Sequence, residues 1–155
     1  MTSRNLSTGQ PKLKEPLGQL QPPAEPKEPK TLETDLAELE DILANLSDQL
    51  KGQGMTLKDN AIYVDLKVRD MAQFATLNKL YVASFGLKPP VRVCVQPVSA
   101  DKGEISMSVL ALSNAKIASK INLHVQSFSK WAPANIGPYS QANIIGDNEF
   151  IMLAG

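Results

Sequence analysis

The sequence predicts an α+β fold in which two helices cover one face of a mixed β-sheet. Leucine and isoleucine recur at three- and four-residue spacing over residues 32–50, as on the buried face of an amphipathic helix. Apolar and polar residues alternate over 61–68, as in a half-buried strand. The later strands follow one another with turns between them. The order helix, strand, helix, strand, strand and hairpin therefore favours α+β over a strictly alternating α/β fold.

The first 34 residues are predicted to be a disordered, proline-rich tail. Lysine, glutamate and glutamine lie between the prolines, and few large apolar side chains are present. Such a segment buries too little apolar surface to offset the entropy lost on ordering. A solvated linker is the favoured interpretation, and a docking motif for a proline-binding partner is the alternative. Six of the eleven prolines lie in this tail: Pro11, Pro16, Pro22, Pro23, Pro26 and Pro29.

Cap residues mark the ends of the predicted elements. We expect the first helix to begin at Thr34 or Asp35 and to be ended by Gly52 and Gly54, with Gly52 as the candidate C′ residue. A connector over 55–60 and a strand over 61–68 follow. The remaining predicted elements are a helix from 70 or 71 to 85, strands over 91–96 and 105–112 joined by a turn at 100–103, a polar connector over 113–124, and a hairpin of 142–145 and 150–154 around a turn at 146–149.

Composition excludes several classes of function. The 16 basic and 16 acidic side chains give no net charge, so no basic surface for nucleic acid is expected. One cysteine and one histidine exclude an internal disulfide and a structural Cys/His zinc site. No apolar run is long enough to span a membrane, and a cytoplasmic location is expected. Neither a Ser-Gly-Gly-x-Asp-Ser loop nor a Walker A sequence is present, so no ATP site is expected in this chain.

Two stretches resemble the Rid family, whose members are small trimeric α+β proteins. Residues 134–142, Ala-Asn-Ile-Gly-Pro-Tyr-Ser-Gln-Ala, resemble the signature that opens a Rid unit. Residues 69–74 (Arg-Asp-Met-Ala-Gln-Phe), with Asn78, Tyr81 and the run Pro-Pro-Val-Arg-Val-Cys-Val at 89–95, resemble the later part of one. The resemblance implies that 35–112 are the C-terminal two-thirds of a Rid-like unit, 113–124 a linker, and 125–155 the opening hairpin of a second unit.

The junction between these two pieces resembles that of the tandem Rid-like units in the diphthine–ammonia ligases of fungi and plants. Residues 123–139, from Leu123 to Tyr139, carry this resemblance. It implies a fragment of a protein that amidates diphthine on elongation factor 2, with ATP bound in a separate ligase domain and no cofactor in this chain. The implied partner is a second Rid-like unit, in the same chain or in a homo-oligomer.

Four residues are candidates for a ligand site. The resemblance implies that Arg92 binds a substrate carboxylate, a role that suits its bidentate fork, and the alternative is an intersubunit salt bridge. Cys94 lies on the same face of the predicted strand, either as a thiol whose pKa the arginine lowers or as a small buried side chain. Tyr139 matches a cleft residue of the family, and Asn78 matches a helix residue near the cleft.

One departure from the family pattern leaves other functions open. Ser106 stands where the active family members have a glutamate that positions water, and a hydroxyl without a partner is a weak base. The alternatives are therefore a degenerate 2-imino acid deaminase and a non-catalytic trimerisation or ligand-binding module. Trp131 is predicted to be a packing anchor for the linker.

The two incomplete pieces are complementary, and this predicts how they fit together. We expect the C-terminal hairpin to dock near Arg92 or Val64 and so to complete a circularly permuted unit. The expected driving force is apolar burial. The residues expected to be buried in this way are Ile144, Ile145, Ile151 and Leu153.

Overall fold

The computed structural model describes residues 31–98, 104–146 and 149–155. The predicted tail up to residue 30, the turn at 100–103 and the middle of the turn at 146–149 lie outside the described residues. The helices are α1 (Leu32–Lys51), α2 (Leu57–Asn60), α3 (Phe74–Phe85) and α4 (Asn114–Ile117), with a 3₁₀ turn at Met71–Gln73 before α3. The strands are β1 (Ala61–Lys67), β2 (Val91–Val95), β3 (Ser106–Ala111), β4 (Ile121–Leu123), β5 (Ala142–Ile145) and β6 (Phe150–Leu153).

The described strands form two three-stranded sheets. The first is mixed and has the order β2-β1-β3, in which β1 runs parallel to β2 and antiparallel to β3. The second is antiparallel and has the order β4-β5-β6. The predicted α+β class with a mixed sheet is therefore confirmed, although the strands that we expected in one sheet are divided between two.

The hydrophobic core lies between the first sheet and its two long helices. Leu39 of α1, Val64 and Leu66 of β1, and Leu77 and Tyr81 of α3 are each at most 2% exposed. Val64 and Leu66 are two residues apart, so both helices cover the same face of β1. Each buried aliphatic side chain contributes roughly 1.5–3 kcal/mol to stability.

The start of α1 differs from the prediction. Its N-cap is Thr31, whose hydroxyl accepts a hydrogen bond from the Thr34 amide, and residues 32–34 of the predicted tail are helical. Asp35 is fully buried and forms an ion pair with Arg69, which also bonds Glu38 at 2.9 Å. A carboxylate that is engaged in a tertiary ion pair is not available as a cap.

The end of α1 also differs in detail. Gly52 is the C-cap residue, but its φ of −58° is an ordinary helical value. Gly54, two residues later, has a φ of +70°. Of the two glycines expected to end the helix, Gly54 and not the candidate C′ residue Gly52 therefore adopts the left-handed conformation.

The predicted polar connector over 113–124 contains regular structure. It holds α4 and β4, and β4 pairs with β5 through Ile121 and Ile144. A strand of three residues, Ile-Asn-Leu, is too short for its alternation to be recognised in a sequence. The expected connector over 55–60 likewise contains α2, whose N-cap Thr56 accepts a hydrogen bond from the Asp59 amide at 3.0 Å.

The C-terminal segment docks next to the start of β2, which is close to Arg92. The Ser140 amide donates to the Pro90 carbonyl at 3.0 Å, and Asn143 Nδ2 donates to the Ile62 carbonyl at 2.7 Å. The expected apolar burial is wrong for Ile151 and Leu153, which are 55% and 68% exposed, whereas Ile144 and Ile145 are half-buried. The buried polar side chains of Ser140 and Asn143 make the contact, next to the buried Ala142. The division of the chain into two incomplete units stays a prediction.

Two features are absent from the described residues. No described helix is both long and apolar enough to cross a membrane. The same part of the chain holds no group of three or more histidine, cysteine, aspartate or glutamate side chains that could hold a metal ion.

Candidate ligand pocket around Arg92

Arg92 lies on β2 with its guanidinium enclosed by aromatic rings. Its Cζ is 4.5 Å from the ring centre of Tyr81, 5.3 Å from that of Phe74 and 5.6 Å from that of Tyr139. The residue is only 2% exposed. The three rings come from α3 and from the C-terminal segment, so the tertiary fold is needed to surround this cation. Each ring can offset part of the cost of burying the charge, by about 0.5–2 kcal/mol.

The surroundings of Arg92 satisfy only part of its hydrogen-bonding capacity. Nη1 donates to Asn78 Oδ1 at 2.8 Å. Among the described residues, Nε and Nη2 have no hydrogen-bond acceptor in acceptable geometry, although the Tyr81 hydroxyl is close enough for Arg92 to lower its pKa. No carboxylate of the described chain forms an ion pair with Arg92. A buried cation without an anionic partner costs several kcal/mol, part of which an anionic group in contact with Arg92 would offset.

A cavity of about 490 Å³ opens beside Arg92 and Cys94. This volume is within the range of small-molecule pockets, roughly 300–1,000 Å³. No aspartate, glutamate or histidine lines it among the described residues. Its lining is mainly apolar and includes Met71, Phe74, Trp131, Pro133, Ile136 and Tyr139.

Gly137 brings the C-terminal segment into close contact with Arg92. A Cβ atom at this position would lie 2.9 Å from Arg92 Nη2 and 3.3 Å from both Asn78 Nδ2 and Phe74 Cζ. Any larger residue would therefore push into the guanidinium and its partner. This close contact, and not a left-handed backbone conformation, explains why residue 137 is a glycine.

Two amide side chains hold the segment that passes over the pocket. Gln141 Nε2 donates to the carbonyls of Val125 at 2.9 Å and Pro133 at 2.7 Å, and Gln141 Oε1 accepts from the Val125 amide at 2.9 Å. Asn135 Nδ2 donates to Gln141 Oε1 and to the Tyr139 carbonyl. Asn135 and Gln141 were not among the predicted site residues. Their only signal in the sequence is their position in the block 134–142.

Cys94 lines the cavity next to Arg92, as the alternation along the strand predicted. Burial raises the pKa of its thiol, and the lowering effect of Arg92 is the smaller of the two. The carboxylate of Asp65 raises this pKa further. The hypothesis of a thiol activated by the arginine is therefore wrong, and Cys94 behaves as a small, half-buried side chain that also packs against the core.

The fold brings all four predicted site residues together. Arg92, Cys94 and Tyr139 line one cavity, and Asn78 bonds Arg92. Ser106 is exposed on β3 and does not line the cavity. Trp131 lines it but is 73% exposed, so the prediction of a packing anchor is wrong. No packing partner covers most of its indole ring in the described chain.

Comparisons with known proteins give the following similarities. No protein family model matches the sequence. The diphthine–ammonia ligase of Saccharomyces cerevisiae is 34% identical over 127 residues, which cover 75% of this chain and 18% of the relative. The diphthine–ammonia ligase of Schizosaccharomyces pombe is 37% identical over 119 residues, which cover 76% of this chain and 19% of the relative. A RutC family protein of Pyrococcus horikoshii is 35% identical over 75 residues, or 46% of this chain and 59% of the relative.

These similarities establish homology to a part of the diphthine–ammonia ligases. The chain spans less than a fifth of the length of the two ligases that it matches. The similarity to a RutC family protein is consistent with a Rid-like fold for the α+β structure described above.

Proposed function

We propose that this chain is a Rid-like accessory segment of a diphthine–ammonia ligase, and that its Arg92 pocket binds a carboxylate ligand. The similarity to two ligases over three quarters of the chain is the observation that carries the first part. In this proposal the parent protein uses ATP to amidate diphthine on elongation factor 2. Because the sequence has no loop for ATP phosphates, the ATP site belongs to another part of that protein.

The geometry around Arg92 supports the second part of the proposal. Nε and Nη2, the two nitrogens without an acceptor, lie on one edge of the guanidinium plane. Both are buried and Gly137 packs against Nη2, so a ligand reaches this edge only if the segment at Gly137 moves aside. A carboxylate binds such an edge with two parallel hydrogen bonds. The bound anion would supply the charge that the described surroundings of Arg92 lack, and the apolar cavity would strengthen the interaction by excluding water.

A degenerate 2-imino acid deaminase is the second candidate, and Arg92 favours it. Hydrolysis of an imine needs a group that positions or activates water. The cavity lining has no aspartate, glutamate or histidine among the described residues, and Ser106 lies elsewhere. We therefore expect the purified chain to bind carboxylates without hydrolysing 2-iminobutyrate. Turnover that disappears in Arg92→Ala would favour the deaminase.

The accessory role is tested by exchange into a relative. The matching segment of the Saccharomyces cerevisiae ligase is replaced either by residues 31–155 of this chain or by a Gly/Ser linker of equal length. Mass spectrometry of elongation factor 2 from cells that lack the native ligase then measures diphthamide. We expect diphthamide with the exchanged segment and a marked loss with the linker. Equal amounts from the two chimeras would contradict an accessory role.

The same chimera tests whether the pocket contributes to this role. Arg92→Ala within the exchanged segment should lower the diphthamide level if a bound carboxylate is required. An unchanged level would contradict the role of the pocket but not the accessory role. The segment would then act by association with a second Rid-like unit, without a bound carboxylate.

A further inference from the structure

The second sheet carries a face that is entirely aliphatic. In an antiparallel sheet, residues directly opposite each other on neighbouring strands point to the same face. Ile121 is paired with Ile144, and Ile144 with Ile151. A second row lies two residues away on each strand and therefore on the same face. The two rows form what we call the outer face, with Ile121, Ile144 and Ile151 in one row and Leu123, Ala142 and Leu153 in the other.

The opposite face of this sheet is polar where it meets the rest of the fold. Asn122 and Asn143 are paired across β4 and β5. Asn143 Nδ2 donates to the Ile62 carbonyl at 2.7 Å, and Asn122 Nδ2 donates to the Pro89 carbonyl at 3.3 Å. The sheet thus turns asparagines towards the protein and aliphatic side chains away from it. An antiparallel sheet with one solvated face normally has the reverse arrangement.

Much of the outer face is open to solvent. Ile121 is 59% exposed, Ile151 is 55% exposed and Leu153 is 68% exposed. These three side chains come from the two edge strands, β4 and β6, on either side of β5. Contiguous exposed apolar surface of this kind is typical of an interaction site. Because neither row holds a polar or charged side chain, the outer face suits an apolar protein surface.

Two observations on charge favour a second copy of this chain as the partner. A twofold axis brings the same patch of two copies together, so any charge in the patch would meet its own copy. The outer face has no charge. The 16 basic and 16 acidic side chains also leave the whole chain without net charge, so no long-range repulsion keeps two copies apart.

We propose that two copies of this chain associate by packing their outer faces against each other about a twofold axis. Sheets that pack in this way lie about 10 Å apart, with the facing side chains interdigitated. The association removes aliphatic surface of both copies from water. A typical interface takes roughly 20–30 residues from each partner, whereas the outer face supplies only the centre of one. We therefore expect a weak dimer with a dissociation constant in the micromolar range.

Two measurements on the full chain test this interface. In sedimentation equilibrium, the average mass should rise from that of a monomer towards that of a dimer as the concentration is raised through the micromolar range. The second measurement uses a mixture of isotope-labelled and unlabelled chains. NMR contacts between copies should then involve the methyl groups of Ile121, Ile144 and Ile151.

Three variants locate the interface. Ile151→Glu places a charge where it would meet the same charge of the second copy, so the dissociation constant should rise at least about tenfold. Ile121→Gln adds a polar group without charge on a different strand and should raise it less. Leu87→Glu is the matched control, because Leu87 is 91% exposed in the turn after α3. It should leave the dissociation constant unchanged.

Thermal midpoints show which variants fold, and Ile121→Gln carries the test if Ile151→Glu does not. A wild-type chain that is monomeric at every concentration would overturn the proposal. A trimer, an unchanged dissociation constant in the folded outer-face variants, or contacts between copies at other surfaces would overturn it as well. None of these results bears on carboxylate binding by Arg92, so the failure of this interface and the failure of the pocket are distinguishable.

Discussion

Arg92 carries a buried charge that its described surroundings satisfy only in part. Replacing a buried charge by an apolar side chain of similar length is often neutral or stabilising. We therefore expect Arg92→Met to keep or raise the thermal midpoint while it abolishes carboxylate binding. Differential scanning calorimetry and ligand titration on the same sample would measure the two effects. Asn78 Oδ1 loses its donor in this variant, but it is half-buried and water can replace the guanidinium.

The alternative role of Arg92, an intersubunit salt bridge, gives the opposite result. Arg92→Met would then lower both the midpoint and the oligomeric state in solution. Sedimentation velocity on the wild type and the variant checks this. A drop in stability with no change in ligand binding would argue against the pocket.

Gly137 is a second residue at which a small change should have a large effect. The Cβ atom of Gly137→Ala would overlap the Arg92 guanidinium and press on Asn78 and Phe74. We expect a loss of about 1–3 kcal/mol in the free energy of unfolding, together with weaker carboxylate binding. Urea denaturation measures the first effect and calorimetric titration the second.

Gly52→Ala is the matched control for this variant. Gly52 has an ordinary φ of −58°, and an added Cβ there would make only normal contacts of 3.5 Å and 3.8 Å. This substitution should be neutral or should stabilise by up to about 1 kcal/mol. Similar losses in the two variants would mean that the approach of Gly137 to Arg92 is not tight.

The raised pKa of Cys94 predicts a dependence of stability on pH. The folded chain holds the thiol proton more strongly than the unfolded chain, whose thiol has the ordinary pKa of 9.0. The stability that this contributes is fully present below that pKa and is lost as the pH rises through it towards the folded value. Urea midpoints measured from about pH 7 to pH 10 should therefore fall through the thiol, although burial lowers the pKa of Lys120 and so acts in the opposite direction.

Cys94→Ala isolates the contribution of the thiol to this dependence. The variant should show a shallower fall over the same pH range, although burial also raises the pKa of Tyr81 and adds a loss at higher pH. An identical slope in the wild type and the variant would mean that the thiol ionises normally in the folded chain.

Helix α1 is joined to the end of β1 by a buried ion pair. Asp35 in its first turn is fully buried, and its partner Arg69 is 6% exposed. Removing one member of a buried pair costs roughly 3–5 kcal/mol, because the remaining charge stays buried. We expect a loss of this size in the unfolding free energy of Asp35→Ala, measured by urea denaturation.

Glu38 provides the comparison on the same helix. Its side chain bonds Arg69 but is 26% exposed, so water can replace part of the lost interaction. Glu38→Ala should therefore cost less, about 1 kcal/mol. If the two variants lose the same small amount, the pair at Asp35 contributes no more than a surface salt bridge.

The C-terminal segment completes the molecule by polar contacts. We expect a chain that ends at residue 125 to have a lower thermal midpoint, because it exposes the start of β2 and Arg92 and loses the bonds of Ser140 and Asn143. Asn143→Ala in the full chain should give part of this effect, about 1–3 kcal/mol, since it leaves the Ile62 carbonyl buried without a donor. An unchanged midpoint after truncation would show that 126–155 do not stabilise the rest of the fold.

The whole molecule also shows which parts of the site could be predicted. Arg92, Tyr139 and Asn78 follow from family resemblance, and the position of Cys94 beside Arg92 follows from alternation on one strand. The support of the site by Asn135 and Gln141, and the contact of Gly137 with Arg92, could not be predicted. Some of these contacts join residues that are far apart in the chain. Others involve residues that look like ordinary loop residues in the sequence.

The sequence by itself determined the main helices and strands, because their periodicity reflects contacts between residues a few positions apart. It also determined the absence of an ATP loop and, by resemblance, the candidate site residues. The tertiary structure alone decided that Asp35 pairs with Arg69 and does not cap α1, that the strands form two sheets, and that Ile151 and Leu153 are exposed. The aromatic enclosure of Arg92 was decided in the same way. Burial and the choice of partner depend on which distant surfaces meet, and local patterns in a sequence do not contain that information.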